Sequence, residues 1–179
     1  LLIIDEVQTG FCRTGKMFSC QHYGITPDLL CVAKSLAGGV PIGAVLIGNA
    51  VKNLVPGTHG STFGGNPLSC AAAVAAPDAM EEEKLAEQAA EKGAYLMEKL
   101  KAIQSPLIRE VRGKGLMIGI ELKTKVVPYL RALQEKKIIA LNAGLTVIRL
   151  LPPLVISYEQ LDRLAAALDD ALTSELSGE

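Results

Sequence analysis

Asp5 and Lys34 are the two residues whose setting calls for a chemical explanation. Asp5 follows the unbroken aliphatic run Leu1-Leu2-Ile3-Ile4, and Lys34 follows a second apolar run, Leu29-Leu30-Cys31-Val32-Ala33. Such runs, bounded by glycine-containing loops, read as strands of a parallel sheet buried on both faces. Open α/β sheets place their ligands at the carboxyl ends of these strands. A carboxylate and an amine at neighbouring strand tips suit a pyridine cofactor held through a Schiff base. The amine supplies the covalent link, and a buried carboxylate keeps the ring nitrogen protonated, so that the ring can accept electrons. The amine must be neutral near physiological pH, which burial and nearby cations favour. The plainer alternatives are an acid capping a loop and a lysine that snorkels to solvent.

Arg149 is the third residue of this kind, a lone charge within Val147-Ile148-Arg149-Leu150-Leu151-Pro152-Pro153. A guanidinium buried there needs an anion, and its planar fork suits a carboxylate held at two points. A structural ion pair would satisfy it equally.

Other motifs fail on context. Gly10 to Lys16 matches the first seven positions of a phosphate-binding nucleotide loop, but the eighth is Met17 and no helical period follows. The glycines Gly113, Gly115 and Gly119 are spaced one residue too long for a dinucleotide fingerprint. Cys12, Cys20, Cys31 and Cys70 form no C-x-x-C pair, and His22 and His59 are not spaced to join them, so no metal site is expected. Reduced thiols in a cytoplasmic protein are the simpler reading. A formal charge of −1 with 4% aromatic residues and no tryptophan gives no basis for nucleic-acid binding. No stretch is long and apolar enough to span a membrane.

The elements that position these residues follow from periodicity. Ile42 to Ile47 reads as a third strand, and Asn66-Pro67 as a helix start. Small residues run from Leu68 to Ala76, and Pro77 should kink or end that helix. An amphipathic helix is expected over 81–104, with Leu85, Ala89, Leu96, Leu100 and Ile103 on one stripe. Beyond Pro106 the pattern changes. Two strands over 108–122 are followed by a helix at 126–136, then by strands at 138–141 and 147–151 around an Asn142-Ala143-Gly144 turn. Ser157 caps a last helix with Leu161, Leu164, Leu168 and Leu172 inward. The composition, 49% hydrophobic and 21% charged, suits a globular α/β protein. A division is expected between 1–80 and 81–179.

The segments Asp5-Glu6-Val7-Gln8-Thr9-Gly10, Arg13-Thr14-Gly15, Pro27-Asp28, Ala33-Lys34-Ser35-Leu36-Ala37-Gly38-Gly39 and His59 to Leu68 stand in the order found in class III pyridoxal-phosphate aminotransferases. The chain resembles that family, its acetylornithine and ornithine group above all, over only the second half of such an enzyme. The resemblance implies fold type I, with the end of a large cofactor domain followed by a small α/β domain. It implies that Lys34 binds pyridoxal 5'-phosphate and shuttles the proton, and that Asp5 pairs with the ring nitrogen. Val7 would pack on the ring, and Gln8 would reach its phenolic oxygen. Thr62 would reach the cofactor phosphate of a neighbouring subunit in a homodimer with a shared site, unless it is a turn threonine bonding its own backbone. Arg149 would bind the carboxylate of glutamate or 2-oxoglutarate. The implied donor is an N-acetylornithine-like ω-amine; 4-aminobutyrate, ornithine and carrier-linked lysine are the alternatives, and a non-catalytic interaction module is the alternative of another class. Cys12 stands where glycine is expected and Pro77 interrupts a helix, both departures from the pattern. The apolar opening run further predicts that the chain alone self-associates or is unstable.

Overall fold

The computed structural model describes residues 1–52 and 54–173, and the chain divides into two compact units, Leu1–Glu87 and Gln88–Glu179. In the first, β1 (Ile3–Asp5), β2 (Leu29–Val32) and β3 (Ala44–Ile47) form a sheet in that order. β1 and β2 are parallel, with Asp5 opposite Cys31. β3 departs from the expected parallel sheet by running antiparallel to β2, with Val32 opposite Ala44. The reason is the connection. Residues 33–43 hold only a 3-10 turn, Lys34–Ala37, and the left-handed Gly38 and Gly39, too little for the helical crossover that a parallel return requires. The described residues leave much of β1 uncovered, with Leu1 83% and Ile3 61% exposed, so they do not supply the two-sided burial that the run predicts.

Helix α1 (Pro67–Glu82) begins as expected, since Asn66 Oδ1 accepts the Ser69 N–H at 3.0 Å and Pro67 holds the first position. Pro77 does not end it; the helix continues for five residues beyond the proline. The missing donor removes one bond to the Ala73 carbonyl, and the alanine-rich flanks carry the helix past that local loss. The break falls instead at Lys84, whose φ of 52° turns the chain before α2 (Leu85–Ala102). The expected helix over 81–104 is thus divided, because Glu81-Glu82-Glu83-Lys84 is a run of good helix formers with no glycine or proline to mark the turn. Leu85, Ala89, Leu96 and Leu100 are buried as the stripe predicts.

The second unit holds β4 (Ile108–Lys114), β5 (Met117–Leu122), α3 (Val127–Glu135), β6 (Leu141–Ala143), β7 (Val147–Leu150) and α4 (Tyr158–Thr173). Its antiparallel sheet has the order β4-β5-β7-β6. Alternation sends Ile118, Ile120, Leu122, Ile148 and Leu150 to one face, where they pack with Leu96, Leu133, Leu161 and Leu168. Burying each such side chain contributes about 1.5–3 kcal/mol. Ser157 caps α4, its Oγ accepting the Gln160 N–H at 3.2 Å while Gln160 Oε1 accepts the Ser157 N–H at 3.0 Å. Asn142 and Ala143 are strand residues here, not turn residues. Ala143 pairs with Val147, so the turn is Gly144 to Thr146, set by the left-handed Gly144 at φ 67°. Among the described residues no helix is long and apolar enough to cross a membrane.

Candidate active site

Parallel pairing of β1 with β2 brings Asp5 and Lys34 to the same sheet edge. Asp5 is the last residue of β1, opposite Cys31, and Lys34 opens the 3-10 turn two residues beyond the end of β2. Asp5 Oδ1 accepts the Val7 N–H at 2.9 Å, which orients the carboxylate. Both side chains are exposed, so the burial expected around the carboxylate and the amine is not provided by the described residues. The reason is that, among the described residues, β1 pairs on one side only, with β2, and Lys34 leaves the sheet on a turn. Lys34 has φ 48°, in the left-handed region that costs an L-residue roughly 1–2 kcal/mol. A strained backbone at the residue that carries the amine is the kind of feature that clusters at functional sites.

Val7 and Gln8 lie half-buried in the turn after β1. Thr62 is exposed, and among the described residues its hydroxyl makes no hydrogen bond; the local bond of that loop is made by Ser61, whose Oγ accepts the Gly64 N–H at 3.2 Å. Arg149 belongs to the second unit, in β7 between Gly119 of β5 and Leu141 of β6. It is half-buried, on the sheet face opposite that of Ile148 and Leu150, and its Nε is buried, so the expected burial of the guanidinium is met in part. Alternation accounts for this, since Ile148 and Leu150 take the inward positions on either side.

The loop after β1 holds what the sequence reading missed. Glu6 is fully buried, and its carboxylate accepts the Cys20 N–H at 2.7 Å and the Thr9 hydroxyl. The signal was available in strand alternation, which turns residue 6 to the side opposite residue 5. Cys12, where glycine was expected, has φ 66° and is buried, which accords with a position built for glycine. Burial, and secondarily the charge of Glu87, pushes its thiol pKa up, so it is a packing residue with a poor nucleophile. The Gly10 to Lys16 segment leads through Phe18 into a short 3-10 turn, Ser19–Tyr23, without the α-helix of a nucleotide loop.

A parallel strand pair delivering an acid and a lysine to one edge defines an α/β protein suited to Schiff-base chemistry. The chain belongs to the class III aminotransferases, whose family model matches residues 1–172. It is 57% identical over 176 residues to the LysW-aminoadipate semialdehyde transaminase of Deinococcus radiodurans, covering 97% of this chain and 41% of that protein. It is 46% identical over 176 residues to the acetylornithine aminotransferase of Methanocaldococcus jannaschii, covering 97% of this chain and 44% of that one. Among solved structures it superposes on the ornithine delta-aminotransferase of Plasmodium falciparum with a TM-score of 0.91 at 41% identity, over 96% of this chain and 47% of that one. The fold is therefore that of fold type I pyridoxal-phosphate enzymes, and the chain spans less than half the length of these relatives.

Proposed function

We propose that this chain supplies the lysine and the ring-nitrogen carboxylate of a transaminase that moves an amino group from an N-acetylornithine-like ω-amine donor to 2-oxoglutarate. The observation that supports it best is the placement of Asp5 and Lys34 at one sheet edge by the β1–β2 register. The residues fit pyridoxal phosphate. One Asp5 oxygen is held by the Val7 N–H, and among the described residues the other makes no hydrogen bond, which leaves it for a protonated ring nitrogen. When bound, the cofactor supplies an aldehyde carbon and an electron-accepting ring. Lys34 holds it covalently and, once displaced by the donor, takes and returns a proton at Nζ. Asp5 keeps the ring nitrogen protonated by opposite charge. Val7 packs against the ring, Gln8 donates to its phenolic oxygen, and Thr62 binds the phosphate held by a neighbouring subunit, so that the working form is a homodimer. Arg149 takes the carboxylate of 2-oxoglutarate through its fork. A cytoplasmic location goes with this amino-acid chemistry.

A second donor, a carrier-linked lysine precursor, is favoured by the 57% identity to the Deinococcus radiodurans transaminase. Borohydride reduction of the complete protein with pyridoxal phosphate, followed by peptide mass analysis, is expected to place the adduct on Lys34. Glutamate formation from 2-oxoglutarate with N-acetylornithine, ornithine, 4-aminobutyrate and carrier-linked lysine then ranks the donors. No adduct on Lys34 would overturn the reading.

A further inference from the structure

Glu6 has no role in the chemistry above, yet it is the one fully buried acid in the described part of the chain and sits between Asp5 and Val7. Its carboxylate reaches across fourteen residues to the Cys20 N–H and also receives the Thr9 hydroxyl. Its backbone is fixed as well. The Glu6 N–H donates to the Cys31 carbonyl at 2.8 Å, extending the pairing of β1 with β2, and the Glu6 carbonyl accepts the Gly10 N–H at 3.0 Å. Gly10 is needed for that closure, since a Cβ there would stand 2.8 Å from the Glu6 carbonyl oxygen. The loop so gathered is tightly packed: Phe11 and Cys12 are buried with φ values of 56° and 66°, and Phe11 meets the Phe18 ring edge-on at 5.5 Å. Left-handed backbone of this kind persists only where surrounding contacts over-determine it.

We infer that Glu6 is a positioning residue for the cofactor site: its buried carboxylate ties the Asp5–Gln8 turn to the 18–20 segment and thereby holds the Asp5 carboxylate at the sheet edge. Alternation carries the argument. With residue 6 locked inward, Asp5 is obliged to face the other way, and its own carboxylate is trimmed by the Val7 N–H, the next donor along the same turn. Because the Cys20 N–H would otherwise be buried without an acceptor, the reach of the side chain matters more than its charge.

The inference rests on the proposed cofactor role of Asp5 and Lys34, and its test separates the two. In the complete protein, Glu6→Gln keeps the reach and an acceptor oxygen while losing the charge, and Glu6→Asp keeps the charge while losing one methylene of reach. Pyridoxal phosphate affinity, read by absorbance titration, should stay within about threefold of the parent for Glu6→Gln and weaken about tenfold or more for Glu6→Asp, the scale of one lost buried hydrogen bond. The pH titration of the bound cofactor's absorbance should shift in Glu6→Asp and not in Glu6→Gln, because it reports how Asp5 faces the ring nitrogen. Amide hydrogen exchange at Cys20, which needs no cofactor, should accelerate in Glu6→Asp alone. Equal affinities and unchanged Cys20 exchange in both variants, or a larger effect for Gln than for Asp, would overturn the inference. If the parent itself binds no pyridoxal phosphate, the functional reading fails, and Cys20 exchange still decides whether Glu6 anchors the turn.

Discussion

Gly93 of α2 lies directly against Gly115 at the turn between β4 and β5: a Cβ on Gly93 would stand 2.1 Å from the Gly115 carbonyl oxygen and 2.4 Å from its carbonyl carbon. Helix and hairpin therefore meet backbone to backbone. Alanine is the better helix former by about 1 kcal/mol, but here the contact decides, and Gly93→Ala should destabilise the protein by about 2 kcal/mol or more. Urea denaturation measures it, and an unchanged or raised midpoint would show that the helix steps back freely.

Lys34 carries both an amine and a left-handed backbone. Lys34→Ala and Lys34→Gly should each abolish borohydride-stable attachment of the cofactor. They should differ in stability, with glycine ahead by about 1 kcal/mol because it adopts that φ without a Cβ penalty. Thermal unfolding of the pair checks the second point, and an adduct surviving on either variant would remove Lys34 from its role.

Arg149→Ala should raise KM for 2-oxoglutarate by about tenfold or more while leaving cofactor affinity close to that of the parent, since the lost partner is a substrate carboxylate. Arg149→Lys should recover only part, offering a point charge in place of a fork. Unchanged acceptor kinetics in Arg149→Ala would make the residue structural.

Lys137 ends α3 with φ 63°, the Lys137 N–H donating to the Gln134 carbonyl and the Ile138 N–H to the Leu133 carbonyl, each at 2.9 Å. This is a helix end at which glycine is favoured. Lys137→Gly should raise stability by about 0.5–1 kcal/mol, the relieved strain outweighing the added chain entropy. A lower denaturation midpoint would count against it.

The pH dependence has a definite sign. The hydrogen bond from Arg112, with Arg109 assisting, holds the Glu121 carboxyl below its ordinary value, and the Tyr95 hydroxyl and Lys99 do the same for Asp162. A carboxylate whose folded pKa is depressed contributes stability that is present above its unfolded value, about 4. That contribution is lost as the pH falls through the lower folded value. Stability should therefore be level near neutrality and decline below about pH 4, less steeply in Glu121→Gln. Glu121 is half-buried, but its arginine partners and the Asp162–Lys99 pair are exposed, so the effect is small and shrinks in salt. An identical acid slope in Glu121→Gln would show that this network is not responsible.

The apolar runs before Asp5 and Lys34, the Asn66-Pro67 and Ser157 caps, and the leucine stripes of α2 and α4 were legible in the sequence because each depends on local chemistry: side-chain period, cap geometry and apolar content. The direction of β3, the continuation of α1 through Pro77 and the break at Lys84 were decided only by the tertiary structure, since each sets a local preference against packing or chain return. The same division runs through the site. Residue types named Asp5, Lys34 and Arg149 as groups in need of partners, whereas strand register brought Asp5 and Lys34 to the same end of the β1–β2 pair, alternation put Arg149 on the sheet face opposite Ile148 and Leu150, and long-range hydrogen bonding made Glu6 the buried acid of the adjacent pair. Two neighbouring carboxylates look alike in a sequence; which one turns inward depends on a donor fourteen residues away, and only the folded chain brings that donor within reach.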